Sequence, residues 1–362
     1  MKNYFLPFVS SRCIHFAMVS ILLFFACDDD DHTRPAHDTA FKQIGLHNLK
    51  VYELFLFGDD SLFAATNDGV YVKNISTADP FILVGLKGRN VLDLIVFTPD
   101  HIIATTGNRG FSSDISGIHE TKDGGVSWDQ RRFGDDDTGE TAHSLSQHPA
   151  NANVIYATGN AMVAKSVNYG KEWEVIWGDW GGFASGTSVA EINPFRQSDL
   201  WYGGQGGIEN GFVGFLRNEQ PEKQWDDLVD NPTVAVEVAF TNQGSENIFV
   251  GFEGALMKTS NNGEEWKQVI DGHKNGLRFF YGVDNSDSRE NYVYAGGWLK
   301  GMEQQSLVLY SSTDSGQTWD EKTFDDEHSG GIFTMKVISD GNHDRVFVGL
   351  DGGGVYEIEV RH

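Results

Sequence analysis

Seven short apolar runs, each closing on a small residue, recur along this chain at near-regular intervals. They are Leu62-Phe-Ala-Ala65, Ile102-Ile-Ala-Thr105, Val154-Ile-Tyr-Ala157, Leu200-Trp-Tyr-Gly203, Ile248-Phe-Val-Gly251, Val293-Tyr-Ala-Gly296 and Val346-Phe-Val-Gly349. β-branched and aromatic residues in runs this short, bounded by polar turns, predict strands. The small fourth residue predicts a place where backbones crowd together. No long amphipathic helical pattern interrupts the series. Glycine outnumbers proline 42 to 8, which suits many tight turns.

Residues 41–362 divide into seven units averaging 46 residues, the length of a four-stranded propeller blade. The expected fold is all-β: a seven-bladed β-propeller of four-stranded antiparallel blades. With strands named A to D from the axis outward, the apolar runs are strands B. Blade 3 is then A at 143–147, B at 154–158, C at 162–166 and D at 173–177.

A second repeat marks the C–D turn. Thr121-Lys-Asp-Gly-Gly-Val-Ser-Trp128, Ser166-Val-Asn-Tyr-Gly-Lys-Glu-Trp173, Thr259-Ser-Asn-Asn-Gly-Glu-Glu-Trp266 and Ser312-Thr-Asp-Ser-Gly-Gln-Thr-Trp319 share the spelling Ser/Thr-x-Asp/Asn-x-Gly-x-x-Trp. The side chains of Asp123, Asn168, Asn261 and Asp314 can accept hydrogen bonds from their own turns, and Gly125, Gly170, Gly263 and Gly316 allow positive φ. Trp128, Trp173, Trp266 and Trp319 would begin strand D and bury their rings between sheets. The gap between Trp173 and Trp266 spans two units, and Trp225 is the candidate for a decayed copy inside it. The last unit has strands A, B and C (355–360) but no D. Residues 41–45, ahead of the first strand A at 51–57, have no other place. They are expected to supply the missing outer strand and close the ring.

These turns resemble the Asp-box (BNR) repeats of sialidases, xyloglucanases, sortilin-type receptors and photosystem-assembly propellers. His148-Pro-Ala-Asn-Ala-Asn-Val-Ile-Tyr-Ala157 and Asn193-Pro-Phe-Arg-Gln-Ser-Asp-Leu-Trp-Tyr202 resemble the A–B hairpins of the xyloglucanase and sortilin branch. The resemblance implies that the box residues are structural and lie opposite the usual ligand face. It does not fix a function. Sialidases of this kind carry an early Phe/Tyr-Arg-Ile-Pro, whereas Phe195-Arg196-Gln-Ser lies mid-ring. Xyloglucanases need two propellers, and one fits here.

The formal net charge of −25 argues against nucleic acid or an anionic membrane surface as a partner. The chain opens with Lys2 and Arg12, then an apolar run from Ile14 to Ala26 too short to span a bilayer, which reads as an export signal over residues 1–26. Ala26-Cys27 matches a bacterial lipobox. Of the two cysteines, Cys13 falls in this leader, so Cys27 has no internal disulfide partner and is the expected lipidation site. Asp28 to Asp31 open a polar tether over residues 27–40 that resembles the surface-export signal of Bacteroidota lipoproteins. The propeller would then occupy 41–362 of a cell-envelope, outer-membrane lipoprotein, facing the cell surface or the periplasm, and act as a monomer.

Function is expected on the D–A and B–C loops, several of which are long. Their aromatic and charged residues give a candidate ligand face of Arg109, Trp180, Phe183, Glu209, Arg278 and Trp298. Carboxylates there are abundant (Asp135, Asp136, Asp137, Glu140, Asp325, Asp326, Glu327), and abundance alone does not select a catalytic pair. No phosphate loop, nucleophile elbow or zinc spacing appears, and 284–290 lacks the glycine of a calcium loop. No catalytic residue, metal or cofactor is assigned. The leading expectation is a non-catalytic, lipid-anchored binding or scaffold module for a glycan or an envelope protein. The alternative is a glycoside hydrolase or lyase using paired carboxylates on the loop face.

Overall fold

The computed structural model describes residues 39–108, 116–134, 139–182, 185–241, 244, 246–274, 276–324 and 330–362. Among them there are strands and turns but no helix. Seven four-stranded antiparallel sheets form the blades of a β-propeller. Strands A are Val51–Phe57, Val91–Thr98, Ser144–Gln147, Ser185–Ile192, Ala235–Phe240, Arg278–Asn285 and Ile332–Ser339. Each touches the next, and the seventh touches the first, so the ring is closed.

The closure is the expected one. The seventh blade takes its outer strand from Thr39–Gly45, which pairs antiparallel with strand C, Gly354–Arg361. Phe41 stacks between Phe324 and Tyr356, with centroids 4.7 and 4.6 Å away. This leaves no blade one strand short.

Inner strands are apolar because they are walled on both faces by neighbouring blades; outer strands are wet. In the first blade, every residue of strand B from Leu62 to Thr66 is buried, whereas Ile82 and Leu83 of strand D are exposed. The small residues that close the B runs sit where the sequence places them. A Cβ on Gly251 would lie 1.9 Å from the Phe280 carbonyl oxygen, and one on Gly296 would lie 2.3 Å from Ile332, each on strand A of the next blade.

The box turns share one hydrogen-bond pattern. In blade 6, Ser312 Oγ donates to Asp314 Oδ1 (2.8 Å), Gly316 N–H donates to Ser312 Oγ (2.7 Å) and Thr318 N–H donates to Asp314 Oδ1 (2.8 Å). The equivalent bonds recur around Asp123, Asn168 and Asn261. Gly125, Gly170, Gly263 and Gly316 have φ of 91°, 70°, 80° and 77°. A Cβ on Gly263 would strike Trp225 of the preceding blade at 2.3 Å. The four indoles lie just before strand D, and each packs in the seam toward the preceding blade or within its own.

Trp225 reaches the same kind of seam by another route. Strands C and D of blade 4 join through Asn218 and Glu219, both left-handed at φ 51° and 65°. This is a two-residue hairpin, not a worn box, and Trp225 ends strand D instead of preceding it. Its ring still stacks on Trp201 at 5.7 Å. A further two-stranded hairpin, Phe133–Gly134 with Gly139–Glu140, sits in the connection from blade 2 to blade 3 and has no counterpart among the described residues of the other blades.

Candidate functional site

Because every strand A runs in the same sense, the D–A and B–C loops gather on one face and the box turns on the other. The axis between them is an open tunnel of about 450 Å³ lined by strands A. Six ionisable side chains face it: Glu53, Asp93, Glu191, Glu237, Asp284 and Lys336. Glu53, Asp93 and Glu237 are each the third residue of their strand, so they share one level near the loop face.

Part of this polarity is structural. A strand at the axis has an open edge whose N–H groups need acceptors. Asp93 accepts from Leu94 N–H (2.6 Å) and from Leu145 N–H of the next blade (2.7 Å). Asp284 accepts from Asn285 and Val337 N–H at 2.8 Å each. Ser146 accepts from Ile192 N–H (3.1 Å) and donates to Glu191 Oε2 (2.8 Å), and Thr334 accepts from Leu54 N–H (3.1 Å). Glu53 pairs with Lys336 Nζ at 3.1 Å. Glu237 has no hydrogen-bond partner among the described residues. No three carboxylate, histidine or cysteine side chains there are grouped to hold a metal ion.

Of the five carboxylates around the one ammonium, Asp93, Glu191, Glu237 and Asp284 resist ionisation. Burial, and then the neighbouring Glu53, raise Asp93 and Glu237 well above the carboxylate range. Burial pushes Glu191 up to about 7 and Asp284 to about 6, with Ser146 and Lys336 opposing the first and Lys336 the second. Burial works against the charge of Lys336, but Glu53, Asp284 and Glu237 outweigh it and hold the amine above its ordinary value.

The sign of the resulting pH dependence is fixed. A carboxyl whose folded value lies above its unfolded one adds stability below the unfolded value, and that stability is lost as pH rises through the folded value. For Glu191 the window runs from 4.5 to about 7. Glu191→Gln is therefore expected to gain about 1–3 kcal/mol over the parent at pH 8, allowing for screening in the open tunnel, and to match it near pH 4.5. Urea unfolding at the two pH values is the check. An equal change at both would remove the charge as the cause.

Aromatic rings cluster near the loop-face end of the tunnel, where Tyr281 lines it and Phe279 is buried. Phe279, Tyr281, Phe333 and Trp298 form a circuit with successive centroid distances of 5.8, 5.2, 6.1 and 5.3 Å. Tyr52 stacks outside it on Phe333 at 6.2 Å. These rings stand at the upper ends of blades 6, 7 and 1. Lys300 pairs with Glu253 (2.6 Å) and lies 5.5 Å over Phe279, and Lys50 pairs with Asp351 (2.7 Å).

The residues expected on the ligand face separate. Trp298 belongs to the circuit. Glu209 is exposed in the B–C turn of blade 4, with φ 62°. Trp180 packs edge-on against Phe133 at 5.0 Å over the seam of blades 2 and 3, away from the circuit. Arg278 is a correction: only 4% exposed, it begins strand A of blade 6 and donates to the Gly297 carbonyl at 3.1 Å. Burial pulls its guanidinium below the ordinary arginine value. Glu140 is also buried, clipping Asn160 N–H (2.8 Å) and Gly181 N–H. Arg109, Phe183 and Cys27 lie outside the described residues, as do Asp135 to Asp137 and Asp325 to Glu327.

The tunnel acids and three of the circuit aromatics were not anticipated. Their signal is an acid set in an otherwise apolar inner strand, as in Val91-Leu-Asp-Leu-Ile95 and Ala235-Val-Glu-Val238, together with the aromatic run Phe279-Phe-Tyr281.

No protein-family model matches the chain, and no curated protein does. Solved structures do. A streptogramin B lyase aligns with a TM-score of 0.67 at 12% identity, over 89% of this chain and 98% of that one. The GH74 xyloglucanase from Xanthomonas campestris aligns at 0.65 and 12%, over 88% of this chain and 53% of that one, so this chain spans about half the enzyme. YCF48 bound to D1 peptide aligns at 0.60 and 13%, over 90% and 97%. At these identities the similarity shows a shared β-propeller fold.

Proposed function

We propose that the chain is a non-catalytic binding or scaffold module of the cell envelope, lipid-anchored at Cys27, which takes a protein or glycan partner at the aromatic mouth of its axial tunnel. The observation that supports this most is the ring circuit of Phe279, Tyr281, Trp298 and Phe333. The box turns, by contrast, spend their polar groups on themselves. Aromatic faces gathered at a tunnel mouth on a rigid ring suit capture of a partner by stacking. One structural neighbour is bound to a peptide, and another belongs to a mitotic checkpoint complex.

A glycosidase or lyase reading draws on Glu191 and Asp284, whose carboxyls hold protons closer to neutrality than free ones do. Both are already engaged by Ser146 or by backbone N–H groups, which favours the binding role.

The test is capture from solubilised envelope extract and on a glycan array, comparing the parent with Tyr52→Ala and Phe333→Ala. Capture is expected to fall at least about tenfold, with little change in melting temperature. Capture that survives both substitutions, or glycan cleavage by the parent, defeats the reading. Palmitate labelling that persists in Cys27→Ala defeats its anchoring half.

A further inference from the structure

The ring patch at the tunnel mouth does not discriminate between a sugar and a peptide; what lies beneath it does. A neutral glycan stacked on the rings would leave Glu237 at the upper level of the tunnel without a direct hydrogen-bond partner among the described residues, its only nearby cation being Lys336, already paired with Glu53. We infer that this patch docks an extended segment of a protein partner that presents arginine to the tunnel, with Tyr281, Trp298 and Phe333 stacking along the side chain and Glu237 receiving the guanidinium. The inference rests on the binding role proposed above and narrows it to one class of partner.

Charge complementarity carries the choice of occupant. The lining holds five carboxylates against the single amine of Lys336. Lys336 is committed to Glu53 at 3.1 Å, and Asp93, Asp284 and Glu191 already accept hydrogen bonds. Glu237 is the one without a partner among the described residues. It stands on strand A of blade 5, next to the strand of blade 6 that supplies Phe279 and Tyr281. Burial first, and then the neighbouring Glu53, hold the Glu237 carboxyl above its ordinary value, and a cation entering beside it favours the ionised form against both.

Arginine fits better than lysine. Its planar guanidinium is more weakly hydrated, stacks on aromatic faces and pairs with a carboxylate through two parallel bonds. The rim already shows the pattern in miniature, since Lys300 lies over Phe279 while pairing with Glu253. An acidic or phosphorylated segment would meet like charge throughout.

The experiment measures binding of a short peptide alternating glycine and arginine by calorimetry, beside the same peptide with citrulline in place of arginine. Citrulline keeps the shape and removes the charge. The arginine peptide is expected to bind, and the citrulline peptide at least about tenfold more weakly. Glu237→Gln and Phe333→Ala should each weaken the arginine peptide by a similar factor. Glu264→Gln with Glu265→Gln, exposed acids on the box face, should leave it unchanged.

Equal binding of the two peptides, no binding of either, or an equal loss in the box-face variant overturns the inference. If the arginine peptide fails while envelope capture still depends on Phe333, this inference falls and the proposed binding role stands. If neither depends on Phe333, both fall.

Discussion

Asp344→Ala is expected to lower the unfolding free energy by about 3–5 kcal/mol, among the largest effects of any single substitution in this ring. The side chain is fully buried in blade 7. Its Oδ2 accepts from Tyr294 OH at 2.7 Å and lies 3.0 Å from His362 Nε2. Its Oδ1 accepts from Ser286 Oγ at 2.8 Å and from Ser339 Oγ. Tyr294 and Ser286 belong to blade 6, so one carboxylate ties two blades together. Truncation would strand several donors away from water, and the cost comes from those orphaned groups more than from the lost bonds. Asp344→Asn should lose less, because its amide oxygen still accepts while its NH2 meets other donors. Urea unfolding of the two variants separates the cases; equal, small losses would show that the cluster relaxes or hydrates freely.

A chain beginning at Leu46 should lose at least about 5 kcal/mol and some 10 °C or more of melting temperature. It lacks the strand Thr39–Gly45, and with it the ring of Phe41 wedged between Phe324 and Tyr356. Strand C of blade 7 then becomes a bare edge whose buried Tyr356, Ile358 and Val360 meet water. Such an edge pairs readily with other chains. Light scattering should therefore show self-association, and a peptide of residues 39–45 added in trans should reduce it. A monomer that melts at the parent's temperature would mean that the ring does not depend on this strand.

The architecture was legible because its signals repeat. A single run such as Ile248-Phe-Val-Gly251 could be any buried strand; seven of them at one spacing admit few folds. The closing strand was legible by subtraction, since one blade lacked a member and one segment lacked a home. Trp225 shows the limit of spacing as evidence: its interval fits the series, yet the turn before it is a different hairpin. The site was harder to read. Glu53, Asp93 and Glu237 look in the sequence like the wet face of half-exposed strands, because alternation cannot distinguish bulk solvent from an axial tunnel. Arg278 reads as a loop residue because it follows the polar stretch 271–276, but it is the first residue of strand A and its side chain is buried in the blade. Trp180 and Trp298 read alike as loop aromatics. Only the packing shows that one seals a seam and the other faces the mouth.

The antiparallel pairing of Thr39 with Val360 sets how the ring would bear a load. The chain enters at the box-turn face, opposite the aromatic mouth, and runs along the blade toward that mouth. If residues 27–40 tether the ring to a lipid on Cys27, as we propose, a partner tugging at the mouth pulls this strand lengthwise against its neighbour. Its six paired positions then share the force in shear instead of peeling one after another. In that case the strand that completes the circle is also the leash, oriented where it is mechanically strongest.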